Sequence, residues 1–177
     1  MSTQTKVKAK LFALTKEQWQ FLANLLSVGL MMMIPMLGFN QAITGPIINA
    51  ILFLIAVFLG AKSAIIAGAF SATSALLRGV LIGPFTPALA PMVPFIIAGN
   101  AIMILGFEFA KKRHMLIGIA TGSLLKYAFI SYAAHAIVNS RVALPAPILQ
   151  AMGTTQFFTA ITGGLIAYTL IKIKSAL

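Results

Sequence analysis

The sequence contains no cysteine and only two acidic residues, Glu17 and Glu108. Without cysteine the chain has no ligands for a thiolate zinc site or an iron–sulfur cluster, and it forms no disulfide. It also lacks paired acids, a Gly-x-Ser-x-Gly turn, a His-Glu-x-x-His helix and a phosphate-binding Walker loop. We therefore predict a protein that is not an enzyme, that carries no metal or cofactor, and that cannot by itself use ATP.

Charge of either sign is scarce. Charged residues make up 8% of the 177 residues and hydrophobic residues 60%, and the mean hydropathy is +1.00. Soluble domains carry about 25% charged residues. A chain of this composition cannot hide its apolar surface from water, so lipid is the predicted solvent. We predict one all-α membrane domain covering residues 1–177.

Six apolar segments approach the roughly 20 residues that a transmembrane helix needs. Thr15 followed by Gln18 predicts a capping box at the start of the first helix. An even number of spans places both termini on the same side of the membrane. The predicted spans are 19–38, 45–61, 63–80, 92–110, 115–138 and 148–171.

The basic residues predict which side that is. Ten of the 13 Lys and Arg residues fall before the first span, between the second and third, between the fourth and fifth, or after the sixth. The positive-inside rule makes that side cytoplasmic, and the basic segment 1–15 with it. Because these residues separate apolar runs, the net charge of +11 does not indicate nucleic-acid binding.

The three connections on the other side, 38–46, 79–91 and 139–147, are rich in proline and glycine. Such residues favour stiff, non-helical connections. Two interpretations stay open: ordinary loops, or a lid over an outward-facing pocket.

Lys126 lies inside the fifth predicted span, eleven residues from its start and so about 16 Å deep. A charge at the bilayer centre costs about 2.5–3.5 kcal/mol on the insertion scale. Glu17 is predicted at the inner surface, and Glu108 is predicted to pair with Lys112 at i+4. Since no acid fits Lys126, we expect an anionic ligand from outside to supply the counter-charge.

Other cations and polar groups from the midplane outwards complete this predicted anion site. Arg141 in the last outer loop and Gln41 beside Asn40 are further members of that polar half. The alternatives are snorkelling or carbonyl bonding for Lys126 and helix-to-helix hydrogen bonding for the amides. The candidate substrate-binding residues are Lys126, Arg78, Asn49, Asn100, His135, Asn40, Tyr132 and Gln156.

A faint repeat of about 50 residues links two of the amides. Asn-Ala-Ile occurs at 49–51 in "PIINAIL" and at 100–102 in "PFIIAGNAIMI". The pattern is typical of duplicated hairpins in transporters, although chance also produces it in apolar sequence.

The segments "ANLLSVGL", "TGPIINAILFLIAVFLGAKSAIIAG" and "LAPMVPFIIAGNAIMI" resemble the substrate-binding S component of energy-coupling factor (ECF) transporters, a type of ABC transporter. The resemblance implies a multi-pass protein of a prokaryotic plasma membrane that binds a vitamin or related micronutrient. It also implies partners, namely a transmembrane coupling subunit and two ATPases. The usual Ala-x-x-x-Ala docking face is replaced here by Ala23 and Ser27, with Gly29 nearby. No biotin, thiamine, riboflavin or folate signature is present.

Two other functions stay open. One is a non-catalytic accessory subunit of a membrane complex, and the other is a stand-alone secondary carrier. An intramembrane enzyme is disfavoured because Ser131 and His135, at i and i+4, lack an acid to orient the histidine.

Overall fold

The structure is a computed structural model that describes residues 15–79, 81–140 and 144–176. In these ranges the chain is almost entirely helical, with one extended segment, Leu81–Pro84, and one 3-10 helix, Thr86–Met92. The described α-helices are α1 (Lys16–Met36), α2 (Gln41–Phe58), α3 (Ala61–Arg78), α4 (Val93–Ala110), α5 (Met115–Asn139), α6 (Ala146–Met152) and α7 (Thr154–Ala176).

Five helical stretches have the length and apolarity of membrane spans. They are Lys16–Met36, Gln41–Phe58, Pro84–Ala110, Met115–Asn139 and Ala146–Ala176. The apolar part of α3, Ala61–Leu77, is shorter than these. The predicted all-helical class is confirmed, and the helices are compatible with a multi-pass membrane protein, whereas the six-span count stays a prediction.

Local sequence determines where α1 begins, after Thr15, and where the chain turns between α2 and α3, at Gly60. The Gln18 N–H donates to Thr15 Oγ1 at 3.2 Å, and the Thr15 N–H donates to Gln18 Oε1 at 2.8 Å. This confirms the predicted capping box. Between α2 and α3, Gly60 has a φ of +94°, a conformation that favours glycine. Gly60 therefore allows the chain to turn tightly between the end of α2 at Phe58 and the start of α3 at Ala61.

Two predicted segments differ from the structure. The chain over 148–171 is divided at Gly153, whose φ of −87° and ψ of −133° are not helical, so α6 ends there and α7 begins one residue later. The connection 79–91 is not irregular throughout, because Pro84 is followed by the 3-10 helix. Part of the third connection, 141–143, and most of the basic segment 1–15 lie outside the described residues.

Contacts between helices fix their relative directions. Ser74 near the end of α3 donates to Met32 O near the end of α1, so these two helices run parallel. Lys174 at the end of α7 lies over the Phe58 ring at the end of α2, with Nζ 4.2 Å from the ring centroid. Phe107 near the end of α4 packs against Phe53 of α2. The start of α1, the connections between α2 and α3 and between α4 and α5, and the end of α7 therefore lie at one end of the bundle. We call it the basic end, and the opposite end the loop end.

Glycines let the main helix pairs approach closely. A Cβ on Gly122 of α5 would collide with Met103 O and lie 3.2 Å from Phe107 N on α4. A Cβ on Gly163 of α7 would lie 2.5 Å from Pro46 O on α2. Small residues at such interfaces are what membrane helices use to pack backbones together.

Two apolar clusters fill the bundle. The first centres on Phe53 and Phe107, whose ring centroids are 5.0 Å apart in an edge-on arrangement. The second includes Leu89, Ile130 and Met152 and joins the 3-10 helix and α6 to α5. A cavity that contains several polar side chains lies beside Leu89 and Met152 of the second cluster.

Replacing Gly122 by Ala should lower the free energy of unfolding by about 1–3 kcal/mol, the usual cost of overpacking. The matched control is Gly29→Ala on α1, because a Cβ there would meet nothing within 4 Å. Thermal unfolding in detergent compares the two variants. Equal melting temperatures would contradict the close α4–α5 contact.

Candidate functional site

Lys126 is buried in the centre of the bundle. Its side chain is 3% exposed, and its Nζ donates to Asn49 Oδ1 at 2.7 Å. Asn49 lies on α2 and is also buried, so this bond joins α5 to α2. The described residues contain one ion pair, Lys111 with Glu108, and it involves neither of these side chains. The buried ammonium therefore faces an amide rather than a carboxylate.

The position of Asn49 depends on the close approach of α7. A Cβ on Gly163 would lie 2.7 Å from Asn49 Cβ and 2.7 Å from Ala50 N. Only glycine at 163 lets α2 sit where it does. On the other side of the lysine, a Cβ on Gly99 of α4 would lie 3.7 Å from Lys126 Cγ. Gly163 of α7 and Gly99 of α4 thus leave the space that Asn49 and the Lys126 side chain occupy.

A cavity of about 70 Å³ opens beside this bond. It extends from the Lys126–Asn49 pair to Leu89 of the 3-10 helix and Met152 of α6 at the loop end. Residues of α2, α3, α4, α5 and α7 form its walls. Its polar lining consists of Gln41, Thr44, Asn49, Ser71, Asn100, Lys126, Gln156 and Thr159.

Two oxygens of these lining residues have no hydrogen-bond partner among the described residues. They are Asn100 Oδ1 and Gln41 Oε1, both buried. An unpaired buried acceptor costs about 1–3 kcal/mol. Asn100 itself is 3% exposed, so bulk water does not relieve that cost. The cavity thus contains polar groups whose hydrogen bonding within the described chain is incomplete.

The structure brings together four of the predicted substrate-binding residues, Lys126, Asn49, Asn100 and Gln156, around this one cavity. Each comes from a different helix: α5, α2, α4 and α7, in that order. Both asparagines of the Asn-Ala-Ile repeat therefore line the same cavity.

Three other predicted residues lie elsewhere. Asn40 is exposed and caps α2, its Oδ1 accepting from the Ile43 N–H at 3.3 Å. Tyr132 is 76% exposed, and His135 is exposed with its Nδ1 2.8 Å from Ser131 O. Helical phase is the reason: at about 100° per residue, Tyr132 points about 120° away from Lys126 and His135 about 180° away.

The two outer arginines of the predicted anion site cannot be placed relative to the cavity. α3 ends at Arg78, whose side chain lies outside the described part of the structure, as does Arg141. The predicted Glu108–Lys112 pair is wrong. Glu108 Oε1 bonds instead to Lys111 Nζ at 2.6 Å, because α4 ends at Ala110 and the helical i+4 geometry is lost at Lys112.

Sequence reasoning missed three hydroxyl side chains of the lining: Thr44, Ser71 and Thr159. Each donates to a backbone carbonyl near in sequence, as Ser71 does to Gly68 O at 2.9 Å, which leaves the oxygen lone pairs available. Such hydroxyls are common in apolar helices. No sequence signal distinguishes these three from the others.

The predicted docking residues lie on α1. Ser27 Oγ donates to Ala23 O at 2.7 Å, so it is satisfied within its own helix. A Cβ on Gly29 would meet nothing within 4 Å, which makes that position open. α1 also exposes large apolar side chains, among them Leu25 and Leu26.

No family model matches the chain, and neither the curated proteins nor the solved structures contain a detectable relative. Among residues 15–79, 81–140 and 144–176 there is also no group of three or more side chains suited to a metal ion.

Replacing Asn49 by Leu should lower the free energy of unfolding by about 1–3 kcal/mol, because it removes the acceptor of a buried ammonium. Lys126→Met in the same chain should recover most of that loss. Unfolding of both single variants and the double variant in detergent measures the coupling. Additive effects of the two substitutions would contradict a direct bond.

Proposed function

We propose that this chain is a membrane-embedded binding subunit that captures a small anion in the Lys126 cavity for uptake and relies on a separate ATPase module. One observation carries the proposal: a buried ammonium lines a cavity, and its only partner among the described residues is one amide oxygen. A charge in the membrane interior is rare unless it is paired or functional. The ligand supplies the missing negative charge.

The position of the cavity supports capture from outside. Asn49 is eight residues from the start of α2, so the Lys126–Asn49 pair is about 12 Å from the loop end. Seven described basic residues lie at the opposite end, which the positive-inside rule places in the cytoplasm. They are Lys16, Lys62, Lys111, Lys112, Arg113, Lys172 and Lys174. In this proposal six helices, α3 included, cross the membrane and both termini are cytoplasmic. The parallel run of α1 and α3 suits that arrangement.

The cavity size limits the ligand. Pockets for drug-sized ligands measure about 300–1,000 Å³, and this one measures about 70 Å³. A small metabolite fits as the chain stands. A vitamin requires the 3-10 helix and α6, which bring Leu89 and Met152 to the cavity, to move outwards.

The ECF S-component resemblance belongs to the same proposal. The chain lacks an ATP-binding loop, which a binding subunit with a separate motor does not need. α1 is the proposed docking helix, because it is the least covered of the long helices. Ala23 and Ser27 share one face of it, and Gly29 lies about 160° round the helix from Ser27. A transmembrane coupling subunit is the proposed partner there.

The second candidate is an accessory subunit without a ligand. The observation in its favour is the Lys126–Asn49 bond itself, since a polar pair of this kind also serves to join two helices. A stand-alone carrier fits less well, because proton or sodium coupling uses an intramembrane carboxylate. Glu108 is at the basic end and already bonded to Lys111.

Lys126→Met should abolish bound ligand while the protein stays folded. Protein purified in mild detergent is denatured, and released small molecules are identified by mass spectrometry. The matched control is Lys62→Met, the same chemical change at an exposed position of the basic end. An anion present in the parent and in the control but absent from Lys126→Met supports the proposal. Empty protein in all three supports the accessory subunit.

The cysteine-free sequence permits a direct topology test. Single replacements Lys16→Cys, Lys112→Cys and Ser140→Cys are labelled with a membrane-impermeant maleimide on intact cells. We expect labelling of Ser140→Cys alone, with the other two labelled only after permeabilisation. Labelling of Lys16→Cys and Lys112→Cys from opposite sides would show that α3 does not cross.

A further inference from the structure

The hydrogen-bonding groups of the cavity specify more than a negative charge. The Lys126 ammonium has three N–H donors, and one of them is used by Asn49 Oδ1. Asn100 Oδ1 and Gln41 Oε1 accept no bond from the described chain. The site therefore offers unused donors at one group and unused acceptors at two others.

Each of the two amides has an unbonded oxygen, while its nitrogen already donates one hydrogen bond to a backbone carbonyl. Asn100 Nδ2 donates to Gly68 O at 3.3 Å, and Gln41 Nε2 donates to Ala151 O at 3.1 Å. Turning either amide over would set its oxygen against a carbonyl oxygen, which also only accepts. The oxygens of both side chains are thereby fixed as free acceptors, and each nitrogen keeps a second N–H.

Asn100 lies at the same depth as the lysine. It is seven residues from the start of α4, or about 10 Å from the loop end, and Asn49 is about 12 Å from that end on α2. The neighbouring Gly99 packs beside the Lys126 stem, with 3.7 Å between a Cβ built there and Lys126 Cγ. Gln41 begins α2 and therefore lies nearer the loop end. The floor of the cavity thus presents the ammonium and a free acceptor together.

We infer that the ligand is a small organic anion that also carries O–H or N–H donors, such as a hydroxy acid, with its anionic group on Lys126 and a donor on Asn100 Oδ1. The inference rests on the proposed function and names its ligand class. A halide or a simple carboxylate meets the lysine but leaves Asn100 Oδ1 unpaired. Water that enters the cavity would bond both groups, so a ligand that displaces it must replace both sets of bonds.

The test compares anions that differ by one hydroxyl. Glycolate against acetate, and lactate against propionate, are titrated into the purified full-length protein in lipid nanodiscs by calorimetry at constant ionic strength. We expect each hydroxy acid to bind about tenfold more tightly than its partner, equivalent to about 1.4 kcal/mol. Asn100→Leu should remove this preference while both members of each pair still bind. The control Gln150→Leu replaces an exposed amide of α6 and should leave the preference intact.

Three outcomes count against the inference. Equal affinities within both pairs, abolished by Lys126→Met, would overturn the inference and leave the proposed function standing. The same holds if no probe binds but mass spectrometry finds a Lys126-dependent anion without O–H or N–H donors. No binding and no co-purified anion would overturn both. The wild-type comparison decides the question even if Asn100→Leu does not fold.

Discussion

The bond between Lys126 Nζ and Asn49 Oδ1 is the constraint on which the rest of the site depends. An ammonium in the apolar centre of a helical bundle is costly, and a single neutral amide offsets that cost only in part. The bond stabilises the buried lysine in part, but two of the three N–H donors of its ammonium have no partner among the described residues. A second group is needed to complete it, and the adjoining cavity gives that group a place.

Backbone packing makes the arrangement possible. Gly163 brings α7 against α2 and sets the position of Asn49, while Gly122 brings α5 against α4 and sets the height of Lys126. The Phe53–Phe107 cluster closes the bundle towards the basic end, and the cluster around Leu89 and Met152 covers it at the loop end. The cavity is consequently bounded by apolar packing at both ends, which lowers the local dielectric and strengthens each polar contact within it.

The amino-acid sequence predicts the main helices and the central residue of the site. Hydrophobic length predicts the main helices within a few residues, Thr15 and Gln18 predict the capping box, and Lys126 is conspicuous because charges at lipid depth are unusual. Depth alone misplaced His135 and Tyr132, since a residue at the right height can face the wrong way; helical phase from Lys126 would have separated them. The break at Gly153 and the Glu108–Lys111 pair depend on where a helix ends, which hydrophobicity does not specify. The free oxygens of Asn100 and Gln41 follow from tertiary contacts with Gly68 and Ala151, which no sequence pattern encodes.

A subunit that binds without chemistry needs a cavity, a charge to complement and an exit route, and the described bundle offers the first two in one place. The most direct test of the account is an experimental density map of the protein purified from growing cells, examined around Lys126 Nζ. The account predicts density for a small organic anion with an oxygen about 2.7–2.9 Å from Nζ, the usual length of a charge-assisted bond. Density for water alone, or a backbone carbonyl bonded to Nζ, would contradict it.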